Sequence, residues 1–363
     1  MVYGKELFLK MYRKLDFGQN PEIEICNHLA SRGFTEGPSL IASVDLIHKD
    51  KLFSVGILQR YIHSEKDAWQ MTIDYLTQMC EQLLVDKYAL SLNHFPGKQR
   101  LSEMFDSDIP EEITRYSAWY LSQIKLLSTA LYNLHLSLGD FDGPEAFSPE
   151  ELTPFYQRSM FQSLRNWTEK VMHSLGDMVL SPNGNDVELF KSVLALKQTI
   201  YERIEPLKKI SIDSYRIRCH GDFHLGQVLS TGMNFIIVDF EGEPARSIKE
   251  RRVKRSALRD VSGLMRSIDY AAHYVLKIHV RQEDHDKLSG FLRYWSRSMQ
   301  AYFLKTYYEQ MLTSGLLPQN KKHFIFLTEC LLLEKVLYEI IYEADNRPQW
   351  IDIPLHGLLD LLS

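Results

Sequence analysis

Two short segments constrain this chain more than any other feature. The first reads His220-Gly221-Asp222-Phe223-His224-Leu225-Gly226-Gln227-Val228-Leu229, and the second ends the apolar run 235–240 as Val238-Asp239-Phe240-Glu241-Gly242. Thr231-Gly232-Met233-Asn234 lies between them and carries turn chemistry. Residues 227–230 and 235–240 are therefore predicted as the two strands of a hairpin. A hairpin sets Gln227 beside Asp239. Residues 216–219 read as a further β-type stretch leading into the polar turn. On both sides of this island apolar residues recur at helical spacing: over 67–84, 111–138, 149–175 and 186–207, and again from Ser256 to about Tyr342. Pro96-Gly97 and Pro182-Asn183-Gly184 punctuate the helical runs.

The first sixty residues differ. Residues 6–12 alternate apolar and polar side chains, as a half-buried strand does, and residues 52–59 form a second β-type run. Between them, Asn20 can cap a helix, Pro21 suits its first position and Gly33 supplies a stop. The order is strand, helix, loop, strand. No internal repeat or low-complexity tract is visible. The layout predicts a small β-containing part over residues 1–63 and a large helical part over 64–363 with a hairpin set into it.

Phosphoryl transfer from ATP requires a carboxylate to orient the acceptor hydroxyl, oxygen ligands for magnesium and a lysine for the phosphates. Asp222, in a loop just before a strand, suits the first role. Gln227 follows five residues later, the offset of aspartate and asparagine in a kinase catalytic loop. Asp239 ends the apolar strand and projects toward the same cleft. Alone, the His-Gly-Asp run is equally a turn, and a lone strand-end aspartate is more often a cap or an ion-pair partner. Together and in order, they favour the kinase-like reading. Lys10 in the first strand and Glu24 in the following helix suit the ion pair that fixes a lysine against the α- and β-phosphates. Gln59 and Tyr61 end a strand where a hinge would read adenine through backbone groups. For His224 two readings stand: substrate contact, or a bond to the backbone that stiffens the loop.

The chain resembles the maltokinase family, on the strength of HGDxHxGQVL, VDFEGEPAR, the stretch 258–272, Lys335-Val336-Leu337-Tyr338-Glu339, Tyr342-Glu343 and 346–355. The resemblance runs nearly the whole chain. It implies an α+β, bilobal protein-kinase-like (aminoglycoside phosphotransferase-like) fold, with a truncated β-containing N-lobe and a mainly helical C-lobe. It implies ATP and Mg2+ as cofactors, Asp222 as catalytic base, Gln227 and Asp239 as metal ligands with Glu241 beside them, and Lys10 with Glu24 as the phosphate-binding pair. The implied reaction phosphorylates maltose at its anomeric hydroxyl, feeding α-glucan (glycogen) synthesis, with trehalose synthase as a possible partner. A glucosamine or other sugar kinase shares the catalytic core and is the alternative, as is a catalytically weak partner of trehalose synthase. Members of the family carry an N-terminal cap and a phosphate-covering loop before the lysine strand. Here only nine residues precede Lys10, so the expectation is a missing N-terminal segment and a strand at 6–12 left as an unpaired edge.

Composition narrows the alternatives. With 42 Lys+Arg against 47 Asp+Glu, the formal net charge of −5 argues against a general nucleic-acid or anionic-membrane binder. The basic run 246–259 is read as a solvated or cleft-facing loop. Four scattered cysteines form no CxxC pair, so free thiols are expected. With no signal-peptide pattern and no uncharged apolar span, the expectation is a cytoplasmic protein. Tyr338 and Tyr342 share one helix face at i, i+4. Core packing is favoured for Tyr338, and contact with a sugar for Tyr342, Glu343 and Trp350.

Overall fold

The structure is a computed structural model and describes residues 1–86, 100–180 and 187–362. Pro96-Gly97, Pro182-Asn183-Gly184 and Asp186 lie outside the described residues.

An antiparallel sheet of order β1-β2-β4-β3 opens the chain: β1 (Val2–Tyr3), β2 (Leu7–Met11), β3 (Leu40–His48) and β4 (Lys51–Arg60). The strand carrying Lys10 is not an open edge. β1 pairs with Leu7 and Phe8 on one side, and β4 pairs with the whole of β2 on the other. Gly56 is required there, since a Cβ would lie 2.5 Å from the Lys10 carbonyl oxygen. The predicted loop between helix and second strand holds β3. Its side chains are almost all exposed, so neither face carries the apolar alternation that reveals a strand. Lys49 and Asp50 both take positive φ (48° and 58°) in the tight turn to β4, without the Asn-Gly pair that marks such turns.

Helix α1 (Pro21–Ser31) starts as expected: Asn20 accepts a hydrogen bond from the Glu22 N–H, and Gly33 leaves the helix at φ 70°. After β4 come β5 (Lys66–Asp67) and α2 (Ala68–Val85), then α3 (Leu101–Asp106) and α4 (Glu111–Leu138). The helix predicted from 149 begins later, as α5 (Pro154–Leu180), because β6 (Glu150–Glu151) pairs with β7 (Tyr215–Arg216). The run predicted as one helix to 207 breaks at Leu196 into α6 (Val187–Leu194) and α7 (Lys197–Ile204), followed by a 3-10 turn through Pro206.

The hairpin forms as predicted. In β8 (Val228–Ser230) and β9 (Phe235–Ile237), Val228 lies opposite Ile237, and β5 adds a third strand. A short α8 (Ile248–Arg251) precedes four helices that close the chain: α9 (Leu258–Ile278), α10 (His285–Met311), α11 (Lys321–Asn346) and α12 (Asp352–Leu362). Helix thus continues well past Tyr342.

One contiguous apolar core runs through the helical body and includes Ile25, Cys26 and Leu29 of α1. The sheet has a small cluster of its own, Tyr12, Ile23 and Ile57. Cys26, Cys80, Cys219 and Cys330 are buried free thiols. Among the described residues no helix is long and apolar enough to cross a membrane.

Candidate active site

The loop that bears Asp222 is held from behind by Asp260. This buried carboxylate, in the first turn of α9, accepts hydrogen bonds from the His220 N–H (2.8 Å) and the Gly221 N–H (3.0 Å). His135 Nε2, from α4, lies 3.1 Å from it, and His135 Nδ1 meets the Tyr307 hydroxyl at 2.6 Å. Burial works to raise the Asp260 carboxyl, but these donors keep it below the usual carboxylate range. His220 Nε2 donates to the Val238 carbonyl at 2.9 Å, which ties the loop to the end of β9. α9 backs onto the loop at Gly263, where a Cβ would come within 2.4 Å of the Phe223 carbonyl oxygen.

His224 serves the loop. Its Nδ1 accepts from the Gly226 N–H (3.1 Å) and caps the 3-10 turn Leu225–Gln227. Of its two readings, this is the bond to the backbone that stiffens the loop. Burial holds its pKa down against the pull of Asp222.

Gln227 and Asp239 meet across the hairpin, with Gln227 Nε2 donating to Asp239 Oδ2 at 3.0 Å. Asp239 adopts φ 68°, a conformation costing roughly 1–3 kcal/mol for a residue with a Cβ. Its Oδ1 accepts from Lys10 Nζ at 2.5 Å. The same ammonium lies 2.6 Å from Glu241 Oε1 and 2.9 Å from Glu22 Oε2. Burial would lower the Lys10 pKa, but the three carboxylates raise it above the ordinary lysine value. Glu22 is 1% exposed; burial outweighs Lys10 and pushes its carboxyl up to about 7. Carboxylate oxygens of Glu22, Asp239 and Glu241 lie within 4.8 Å of one another. The three carboxylates form an all-oxygen donor set of the kind Mg2+ takes.

The helix acid that meets Lys10 is therefore Glu22, not Glu24. Two residues apart on a helix are about 200° apart around its axis, so only one can face β2. Glu24 faces the helical body, accepting from Arg218 Nη1 at 2.9 Å with Arg252 Nε at 3.1 Å. The groups of Gln59 and Tyr61 expected at a hinge are already engaged. Gln59 sits inside the sheet between Phe8 and Leu40, its amide against Cys26, and the Tyr61 N–H is taken by the Glu6 carbonyl at 2.7 Å.

Asp222 opens onto a cleft lined by Trp167, Glu243, Arg246, Lys335 and Tyr338. The Tyr338 hydroxyl donates to Glu243, and Arg246 Nε lies 3.6 Å from the same carboxylate. Tyr338, expected in the core, is thus a cleft residue. Arg246 belongs to the basic run read as a solvated or cleft-facing loop; Glu243 and Lys335 fall within the motifs of the resemblance but are given no role by them, and Trp167 carries no signal. Tyr342 is 42% exposed and stacks one turn beyond Tyr338. Glu343 and Trp350 do not reach the cleft. Glu343 is buried and accepts from Tyr270 (3.0 Å) and Arg347 (2.6 and 2.9 Å). Trp350 stacks on Tyr274 with centroids 5.4 Å apart. In the basic run, Arg246, Arg251, Arg252, Lys254 and Arg259 each face a carboxylate.

No family model matches the chain. It is 27% identical over 196 residues, 54% of its length, to a glucosamine kinase of Streptacidiphilus jiangxiensis, covering 42% of that protein. It is 30% identical over 144 residues, 40% of its length, to a glucosamine kinase of Mycolicibacterium smegmatis, covering 34% of it. The chain thus matches less than half the length of either relative. Among solved structures, a glucosamine kinase in complex with glucosamine, ADP and inorganic phosphate superposes with a TM-score of 0.71 at 20% identity, over 100% of this chain and 74% of that one. A second crystal form of a glucosamine kinase gives 0.70 at 20% identity, over 99% and 74%. The fold is the bilobal, α+β, protein-kinase-like one.

Proposed function

We propose that the chain is an ATP-dependent phosphotransferase acting on a sugar hydroxyl, with an aminosugar of the glucosamine class as acceptor. The observation that carries this reading is the arrangement around one hairpin. Asp239 meets Lys10 of the sheet and is bonded by Gln227 across the hairpin, while Asp222 opens onto a cleft large side chains line. In the mechanism, Asp222 accepts the hydrogen bond of the acceptor hydroxyl, orients it in line and takes its proton late. The hydroxyl oxygen bonds to the γ-phosphorus as the bond to ADP breaks. Lys10 offsets charge on the phosphates. Asp239, Gln227 and Glu241 are the residues that would hold Mg2+, which supplies neutralisation of the triphosphate. Adenine is read by the main chain of residues 62–65, past the committed groups of Gln59 and Tyr61.

Glucosamine is preferred to maltose on two grounds. An ammonium on the acceptor calls for a carboxylate beside the base, and Glu243 lines the cleft with Asp222. The relatives reported above carry the name glucosamine kinase. The expectations of maltose 1-phosphate, α-glucan synthesis and trehalose synthase gain no support from them and are set aside.

The test is phosphorus NMR of the chain with Mg-ATP and either sugar. A phosphomonoester signal is expected with glucosamine, at least tenfold above maltose. Glu243→Gln should raise the KM for glucosamine. A signal with maltose alone would restore the maltose reading, and silence from folded protein with both would refute kinase activity in this chain.

A further inference from the structure

A second pocket, of about 350 Å³, opens between α9, α10 and α12 and shares no lining residue with the Asp222 cleft. Three imidazoles face it, one from each helix: His273, His285 and His356. The carboxylates around it are already matched by cations. Asp352 accepts from Lys277 Nζ at 2.8 Å. Asp360 lies 3.5 Å from Arg293 Nε and 3.2 Å from Arg297 Nη2. Asp269, beneath His273, accepts from Arg266 (2.6 Å) and Ser296 (3.0 Å). Because Asp360 meets two arginines, these ion pairs leave one positive charge over, and protonated imidazoles add to it.

The imidazoles also have free nitrogens. His273 and His356 lie parallel, 6.2 Å between centroids and 7° between planes, and neither ring hydrogen-bonds to another described residue. His285 donates Nε2 to the Val280 carbonyl at 3.2 Å, leaving Nδ1 over. Burial, His273 and Arg293, in that order, hold His356 below the ordinary imidazole pKa, with Asp360 and Asp352 opposing. Two parallel rings that repel each other as cations become partners once an anion lies between or before them. Ser289 and Gln282 add neutral donors at the rim. The volume falls in the range of small-molecule pockets, about 300–1,000 Å³.

We infer that this pocket binds a small dianion of the phosphate-monoester class, with His273 and His356 as its imidazolium clamp. Nothing in this rests on the reaction at Asp222. The test uses the full chain with 13C-labelled histidine. Inorganic phosphate and glycerol phosphate are the ligands, and potassium sulfate is a dianion whose charge is fixed between pH 6 and 8. The His273 and His356 ring signals should shift and saturate, with glycerol phosphate binding more tightly than inorganic phosphate. Sulfate should bind at least tenfold more tightly at pH 6 than at pH 8, since His356 loses its proton as pH rises. His273→Gln with His356→Gln should weaken binding at least tenfold. Ser289→Asp at the partly exposed rim should do the same with an unchanged melting curve. Shifts reproduced by potassium chloride at equal ionic strength, or unchanged affinity in both variants, would overturn the assignment.

Discussion

The sheet and the helical body are held in place by different forces. The body is organised by one apolar core that extends from α1 to Leu362. The sheet buries only Tyr12, Ile23 and Ile57 in a cluster of its own, and its outer strand exposes Ile41, Val44, Leu46 and Ile47. What ties sheet to body is largely charge: Lys10 to Asp239, Asp16 to Arg251, and Glu24 to Arg218 and Arg252. α1 bridges the two, with Glu22 under the sheet and Ile25 and Leu29 in the core of the body. Apolar burial is not subject to charge screening, whereas ion pairs between partly exposed groups are weakened by salt. The body therefore carries the stability of the molecule, and the sheet carries an adjustable position.

The sharpest test of this division lies in the body. Asp222→Asn should lower turnover about a thousandfold, within the range of general-base loss, while nucleotide affinity, which the proposed function assigns mainly to the sheet, should stay nearly constant. If affinity fell in step, the two regions would not divide the work this way. Gly263→Ala comes next. Its Cβ would meet the Phe223 carbonyl oxygen at 2.4 Å, so the loop must move, and a turnover loss of about tenfold with unchanged circular dichroism is expected.

The junction is probed by Glu24→Gln, which removes the charge facing the buried Arg218, whose Nε and Nη2 have no hydrogen-bond partner among the described residues. About 3 kcal/mol should be lost, read by urea unfolding, and proteolysis of the sheet should become less sensitive to salt. A weaker effect is expected at His28, which stacks on Phe147 with centroids 3.7 Å apart and bonds the Ser137 carbonyl at 2.9 Å. Burial lowers its pKa in the folded chain. The unfolded chain then binds more protons, so stability is full above the ordinary imidazole value and falls as pH drops below it. His28→Gln should flatten that slope in thermal melts taken between pH 7 and pH 5. The smallest effect belongs to Ile47→Lys on the outer strand, 73% exposed. Unfolding should change by no more than about 0.5 kcal/mol, while light scattering on heating should drop.

The residues most legible in the sequence are those whose partners lie close along the chain. Gln227 and Asp239 are placed together because a hairpin fixes their separation. The choice between Glu22 and Glu24 was not legible, since both occupy the first turn of one helix and only the angle of α1 to β2 decides. Strand β3 was hidden because both its faces meet solvent. The cleft wall escaped for another reason. Tyr338 and Glu243 come together across 95 residues, and no local pattern announces such a contact. Glu343 carried a readable sign in Arg347 four residues on, an i, i+4 pair that marks a side chain already engaged.

The ammonium of Lys10 is seated among Glu22, Asp239 and Glu241, and under the proposed function this would give nucleotide entry the character of ion exchange. A divalent cation held by those carboxylates would take seats that already have a counterion, and the lysine would be free to turn toward the phosphates. Affinity for a metal-nucleotide pair would then be a difference between two occupancies of one acidic seat. A neutral side chain at position 10 would leave that seat more open to free metal even as it weakens the grip on phosphate.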